Sequence, residues 1–192
     1  MISHKHKCIY VHVPRTGGTS VEKFFKDGTR RGHHLLHSYE EYLGIGKYRQ
    51  YYKFAFVRNP WDKLVSEYFW FRNSVHLYPD SEVKRFFRRF SSCFSEFVKL
   101  FFETDIGDGT HRMCQLDFLN PISDLDFSGR FERYEEDFVR MCSYLGISNE
   151  KSIHENNVSH RLYQEYYDDE TRQLVAEKYA KDIEYFGYKF GE

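Results

Sequence analysis

Short apolar runs that break into glycine, hydroxyl or proline turns, and then give way to helical periodicity, set the pattern of this chain. The first run begins within eight residues of Met1 and continues through Tyr10-Val11-His12-Val13-Pro14. It enters the turn Arg15-Thr16-Gly17-Gly18-Thr19-Ser20, after which Val21 to Lys26 reads as a short helix closed by Asp27-Gly28. Thr29 to Ser38 is polar and histidine-rich and is predicted as a loop, Tyr39 to Leu43 as a brief helix, with Gly44 and Gly46 leading onward. The second apolar run, Tyr52 to Val57, ends in Arg58, and the spacing then predicts Asn59 as a helix cap and Pro60 as the first residue of a helix reaching about Arg72.

The later chain repeats the alternation. A turn is expected near Pro79-Asp80-Ser81, with Ser81 capping the next helix. Ser95 to Phe102 reads as helix and Thr104 to Thr110 as a Gly/Asp loop. Gly129 to Glu132 is predicted as a third strand, followed by a helix from about Glu135 to Leu145 and a polar segment from Asn149 to His160. Asp168 to Tyr185 reads as the longest amphipathic helix, burying Leu174, Ala176 to Tyr179 and Ile183. Strands followed by helices predict an α/β fold with a central, mainly parallel sheet flanked by helices. The length of 192 residues, without a Pro/Ser-rich linker, predicts a single P-loop-like domain spanning residues 1–192.

The two strand-to-helix turns carry the candidate chemistry. Glycines let backbone N–H groups come close to an anion, a following helix offers its positive end, and Arg15, Thr16, Thr19 and Ser20 add donors. The turn is not a Walker loop, which needs Lys directly before the final Ser/Thr; here Gly18 precedes Thr19, and the cation, Arg15, stands ahead of the glycines. On the helix after Arg58, residues Asn59, Asp62 and Ser66 fall near one face, and Leu64, Tyr68 and Phe71 fall on another. Arg58 and Ser66 could thus flank one pocket, a guanidinium and a hydroxyl suited to a second phosphate. Two anion sites imply a ligand with phosphates at both ends. The plainer alternative is that Arg58 pairs with a carboxylate and that Gly17-Gly18 only turns the chain.

Composition narrows the class. With 28 Lys and Arg against 29 Asp and Glu, the net charge of −1 argues against a general nucleic-acid binder. A local basic cluster, Lys84-Arg85 and Arg88-Arg89 in SEVKRFFRRF, is either a solvated helix face or a contact for an acidic glycan. Cys8, Cys93, Cys114 and Cys142 lack zinc-binding spacing and are expected to remain thiols, and no metal site is expected. The residues show no charged-then-apolar leader and no stretch of about 18 apolar residues, so neither a signal peptide nor a membrane anchor is expected. The expected location is cytoplasmic. Most of the 16 Tyr, 19 Phe and 2 Trp are expected in the core.

The pair PRTGGTS and FAFVRNPWDKLVSEYF resembles the 5′-phosphosulfate and 3′-phosphate motifs of sulfotransferases that use 3′-phosphoadenosine 5′-phosphosulfate (PAPS). Within that superfamily the chain is similar to the carbohydrate branch that includes heparan sulfate 2-O-sulfotransferase and its bacterial and viral relatives. The resemblance continues through GRFERYEEDF, YLGI, YYDDET and DIEYFGY, in the order that family uses, and covers nearly the whole chain. It implies a PAPS co-substrate held by Arg15, Thr16, Gly17, Gly18, Thr19, Ser20, Arg58 and Ser66, with Ser159, in a loop over the cofactor, near the 3′-phosphate beside Arg161. It also implies a hydroxyl-bearing acceptor, a carbohydrate first, with a small metabolite, a lipid-linked sugar or peptidyl tyrosine as alternatives. For location it implies the Golgi in place of the cytoplasm if an N-terminal anchor has been removed. Arg15 stands where the family carries Lys. It keeps the charge for the leaving group but cannot donate a proton as Lys could.

The family's catalytic histidine precedes the second strand, and Leu36-His37-Ser38-Tyr39 matches its pattern, which implies His37 as base with His34 and His33 as alternatives; an imidazole pKa of about 6.5 suits the task. In HRMCQLDFL the resemblance places His111 and Gln115 at the acceptor, and His160 is a weaker candidate. A P-loop kinase would need the missing Lys and a carboxylate for magnesium. A non-catalytic nucleotide- or glycan-binding protein is the remaining reading.

Overall fold

The computed structural model describes residues 1–74, 93–103, 109–148 and 161–192. In chain order its elements are β1 (Ile2–Ser3), β2 (Cys8–Val11), α1 (Gly18–Phe24), α2 (Leu36–Leu43), α3 (Ile45–Gln50), β3 (Tyr52–Val57), α4 (Pro60–Ser74), α5 (Phe94–Glu103), α6 (Gln115–Phe118), β4 (Phe127–Arg130), α7 (Tyr134–Tyr144), α8 (Asp169–Lys178) and α9 (Ala180–Phe186). They fall into two compact units, Met1–Arg58 with Gln115–Asn157, and Asn59–Cys114 with Val158–Glu192.

The first unit holds the sheet, in the order β1-β2-β3-β4. Strands β2, β3 and β4 are parallel, with Val11 opposite Ala55 and Val57 opposite Arg130, and β1 closes one edge antiparallel to β2. The expected mainly parallel α/β sheet is therefore present. Alternation along the strands puts Cys8, Tyr10, Phe54 and Phe56 on one face, where Val21 and Phe25 of the α1 segment and Tyr134, Phe138 and Met141 of α7 cover them. This packing fixes β4 two residues earlier than expected. Gly129 falls in mid-strand because a Cβ there would lie 2.5 Å from the Phe56 ring, and the chain turns into a short 3-10 segment at Phe131–Arg133 before α7.

The second unit is helical. Trp61, Leu64, Val65 and Tyr68 of α4, Phe94, Phe97, Val98 and Phe101 of α5, and Val175 of α8 share one core with Tyr163 and Tyr179. Asn59 caps α4 as expected, its Oδ1 accepting from the Trp61 N–H at 3.1 Å. Asp168 caps α8 through a reciprocal pair with Thr171. The single helix expected from Asp168 to Tyr185 is two, broken at Tyr179, whose backbone leaves the helical region (φ −111, ψ 26). Its ring is buried against Phe102, at 5.5 Å between centroids, so core packing overrides helical periodicity there.

A second difference lies in the first unit, where the expected loop through Ser38 already becomes helix at Leu36. Leu36 is buried, and the Ser38 hydroxyl donates to the Leu35 carbonyl at 2.7 Å, which tightens the first turn. The cysteines form no disulfide, as expected. No helix among the described residues is long and apolar enough to cross a membrane. The expectations at Ser81, the Lys84 to Arg89 cluster, the body of the 104–110 loop and Asn149 to His160 lie outside the described residues.

Candidate active site

The glycine turn is built so that side chains from the sheet and from α7 can close onto it. Beyond β2, Arg15 (φ 64) and Gly17 (φ 82) both adopt left-handed backbone, and α1 begins at Gly18. For Arg15 this conformation costs on the order of 1–2 kcal/mol, which its surroundings must offset. A Cβ on Gly17 would lie 2.7 Å from the Tyr134 ring, and one on Gly18 would lie 2.0 Å from His12 Cδ2 and 2.6 Å from the Tyr10 hydroxyl. The glycines thus allow three rings to press against the turn. Tyr134 donates its hydroxyl proton to the Gly17 carbonyl at 3.2 Å and hydrogen-bonds Ser20. The Thr16 hydroxyl donates to the Val13 carbonyl at 2.9 Å and is buried, whereas Thr19 is exposed.

Arg58, at the end of β3, joins the same turn. Its Nη1 donates to the Arg15 carbonyl at 3.2 Å, and its guanidinium carbon lies 3.9 Å from the centre of the Phe131 ring. A nearly buried cation stacked on an aromatic face is held by cation–π attraction and by directed hydrogen bonds. Gln115, placed by the sequence at the acceptor, lies buried at the start of α6. Its Oε1 accepts from the Arg58 N–H at 2.8 Å and its Nε2 donates to the Arg58 carbonyl at 2.7 Å. That pair of hydrogen bonds to the backbone fixes the point from which the Arg58 side chain departs.

Against the other side of the turn stands a cluster that sequence reasoning missed. His12 Nδ1 donates to Glu22 Oε1 of α1 at 3.0 Å, and the same oxygen accepts from the Gly32 N–H at 2.9 Å. Burial alone would raise the Glu22 pKa, but the His12 hydrogen bond and the Gly32 N–H outweigh it and hold the carboxyl down to about 2. His33 Nδ1 donates to the His12 carbonyl at 2.8 Å, and the two rings approach to 4.3 Å between centroids. His34 bonds through Nε2 to the Arg31 carbonyl at 3.2 Å, and burial together with the Arg30 charge lowers its pKa. His37 is exposed on the first turn of α2.

In the helical unit, Ser66 is buried on α4. One position further round that helix, Lys63, Glu67 and Trp70 form a face that meets His111. The His111 Nδ1 donates to Glu67 Oε1 at 2.5 Å, its carbonyl accepts from Lys63 Nζ at 3.1 Å, and its ring stacks on Trp70 at 5.3 Å. Arg161 is exposed, 3.6 Å from a Glu165 carboxylate oxygen. Ser159 and His160 lie outside the described residues. Among the described residues no group of three or more His, Cys, Asp or Glu could hold a metal ion.

His12 and Glu22 carry a partial sequence signal. His12 follows Tyr10 at period two, one residue past the end of β2, and the two rings lie on the same side, against the start of α1. Nothing in the sequence pairs His12 with a carboxylate ten residues on.

Comparison with known proteins bears on the whole chain. The family model described as "Sulfotransferase family" matches residues 1–189. An uncharacterized protein of Archaeoglobus fulgidus is 31% identical over 114 residues, which are 59% of this chain and 82% of that protein. No solved structure matches significantly.

Proposed function

The chain belongs to the sulfotransferase family, and from that premise we propose that it transfers a sulfonate group from PAPS to a hydroxyl of a carbohydrate. The observation that carries the reading is the Arg58 guanidinium bonded to the carbonyl of Arg15 within the glycine turn. That bond brings a guanidinium to the turn whose backbone and hydroxyls are suited to an anion, and a cofactor with a phosphosulfate at one end and a 3′-phosphate at the other would engage both.

In this reading the turn from Arg15 to Ser20 holds the 5′-phosphosulfate, and Arg58, with Ser66 and Ser159, serves the 3′-phosphate. Sulfonyl transfer resembles phosphoryl transfer in that the protein positions the reactants and stabilises charge, here on the bridging oxygen that leaves. Arg15 supplies that stabilisation electrostatically. The reading calls for no metal. A histidine of the 33–37 segment accepts the proton of the attacking hydroxyl: the sequence pattern favours His37, and the contact of His33 with the cradle through His12 favours His33. His111 and Gln115 are the proposed acceptor-side residues, Gln115 acting through the backbone of Arg58.

The test is turnover of PAPS with a panel of glycans, a tyrosine peptide and small alcohols, without added magnesium, reading 3′-phosphoadenosine 5′-phosphate and the sulfated acceptor. Arg58→Ala should weaken binding of that bisphosphate at least 100-fold, on the order of a lost charge-assisted bidentate contact. Alanine at the true base should leave binding intact and lower kcat by ~10²–10⁴, so His33→Ala and His37→Ala identify it. Inert PAPS alongside metal-dependent consumption of ATP would overturn the reading.

A further inference from the structure

We infer that Glu22 is a positioning residue, which through His12 and Gly32 holds His33 in the tautomer able to take a proton from the acceptor. The inference rests on the sulfonyl-transfer reading above and concerns a residue outside the phosphate motifs.

The contacts form a closed circuit. Glu22 Oε1 accepts from the His12 ring and from the Gly32 backbone, one residue before His33, and His33 returns to the His12 backbone through Nδ1. Each bond constrains the next. A carbonyl oxygen only accepts, so in the bond to His12 the His33 Nδ1 must carry the hydrogen; the neutral imidazole then has its lone pair on Nε2. The same logic applies to His12, whose Nδ1–H faces the carboxylate and whose other edge lies against Gly18 at the start of α1. One carboxylate oxygen therefore ties the histidine-bearing segment to the first turn of the cradle helix.

In the transfer step the acceptor oxygen forms its bond to sulfur while its proton passes to His33 Nε2. The bond from sulfur to the bridging phosphate oxygen breaks, and its electron pair stays on the departing bisphosphate. The imidazolium keeps its Nδ1–H on the His12 carbonyl, so the ring holds its orientation through the step. Glu22 never meets the substrate; it limits the orientations from which His33 can act.

The test uses the full chain with Glu22→Gln and Glu22→Ala. Gln retains an acceptor oxygen for both N–H groups without the charge; Ala retains neither. Imidazole 15N shifts of wild type should report Nδ1–H tautomers for His12 and His33, and Glu22→Ala should turn His33 into a mixture. In Glu22→Ala, kcat should fall about 10- to 100-fold, part of the ~10²–10⁴ that a positioned base contributes, with KM for PAPS and affinity for 3′-phosphoadenosine 5′-phosphate within about 2-fold; Glu22→Gln should recover most of kcat. An Nε2–H tautomer of His33 in wild type overturns the inference, as does a loss of kcat that tracks a loss of bisphosphate affinity. Unchanged kcat in Glu22→Ala overturns it too. The tautomer measurement needs no turnover, so failure of the PAPS reaction in wild type is distinguishable from failure of the positioning role.

Discussion

Two histidine–carboxylate pairs, one in each unit, use the same atoms in different settings. In both, imidazole Nδ1 meets a glutamate Oε1, at 3.0 Å for His12–Glu22 and 2.5 Å for His111–Glu67. The Glu22 side chain retains 14% of its exposure and also takes a backbone N–H from the next loop, so it joins elements that would otherwise drift apart. The Glu67 side chain has no exposure, and its histidine is further fixed by stacking on Trp70 and by Lys63 at its carbonyl. Position relative to water separates the roles. A fully buried carboxylate makes its helix dependent on its partner, whereas one that keeps an edge in water can orient a neighbour while water remains as a substitute.

The largest expected effect tests that division. Glu67→Ala removes a fully buried partner from α4 and should destabilise the protein by about 3 kcal/mol. Glu22→Ala removes a partner that water can in part replace and should cost less. Urea unfolding of both variants reads the difference directly. Equal losses, or a larger loss at Glu22, would erase the contrast.

A smaller effect isolates the contact of His12 with the cradle. In Gly18→Ala the new Cβ would stand 2.0 Å from His12 Cδ2, and the ring cannot swing away without leaving Glu22. The expected cost is about 2 kcal/mol, in the range of overpacked sites. In a Glu22→Ala background the ring is released, so the same substitution should cost about 1 kcal/mol less. Strict additivity of the two changes in a double-mutant cycle would show that Glu22 does not hold the ring where Gly18 meets it.

The difference between the pairs also marks how far the sequence could be read. Strands β2 and β3, the Asn59 cap and Pro60 start of α4, and the placing of Arg58 at a strand end were legible because each depends on residues within a few positions. The bonds from Gln115 to Arg58 and from His33 to His12 were not, since they join positions 57 and 21 residues apart and leave no periodic trace. On α4 the sequence drew attention to one face only. Counting from Asn59 singled out Asp62 and Ser66; the adjacent positions Lys63, Glu67 and Trp70, which engage His111, were not singled out because their partner lies more than forty residues on. The helix break at Tyr179 was hidden for a related reason: a tyrosine suits an amphipathic stripe, and only the surrounding core shows that its ring leaves the helix line.

The smallest effect concerns acid. In the folded chain the Glu22 carboxyl is held down to about 2 from an ordinary value of 4.5, against the opposing pull of burial. A depressed folded value means that the carboxylate stabilises the fold fully above the ordinary value and loses that contribution as pH falls toward the folded one. Glu22→Gln lacks this titration. The stability advantage of wild type over Glu22→Gln should therefore be steady near pH 5 and should shrink progressively between about pH 4.5 and 2, measured as the difference in unfolding midpoint so that the other carboxylates cancel. A difference that stays constant through this window would mean that the Gly32 N–H and His12 need only a neutral acceptor. The pair would then be a matter of shape and not of charge.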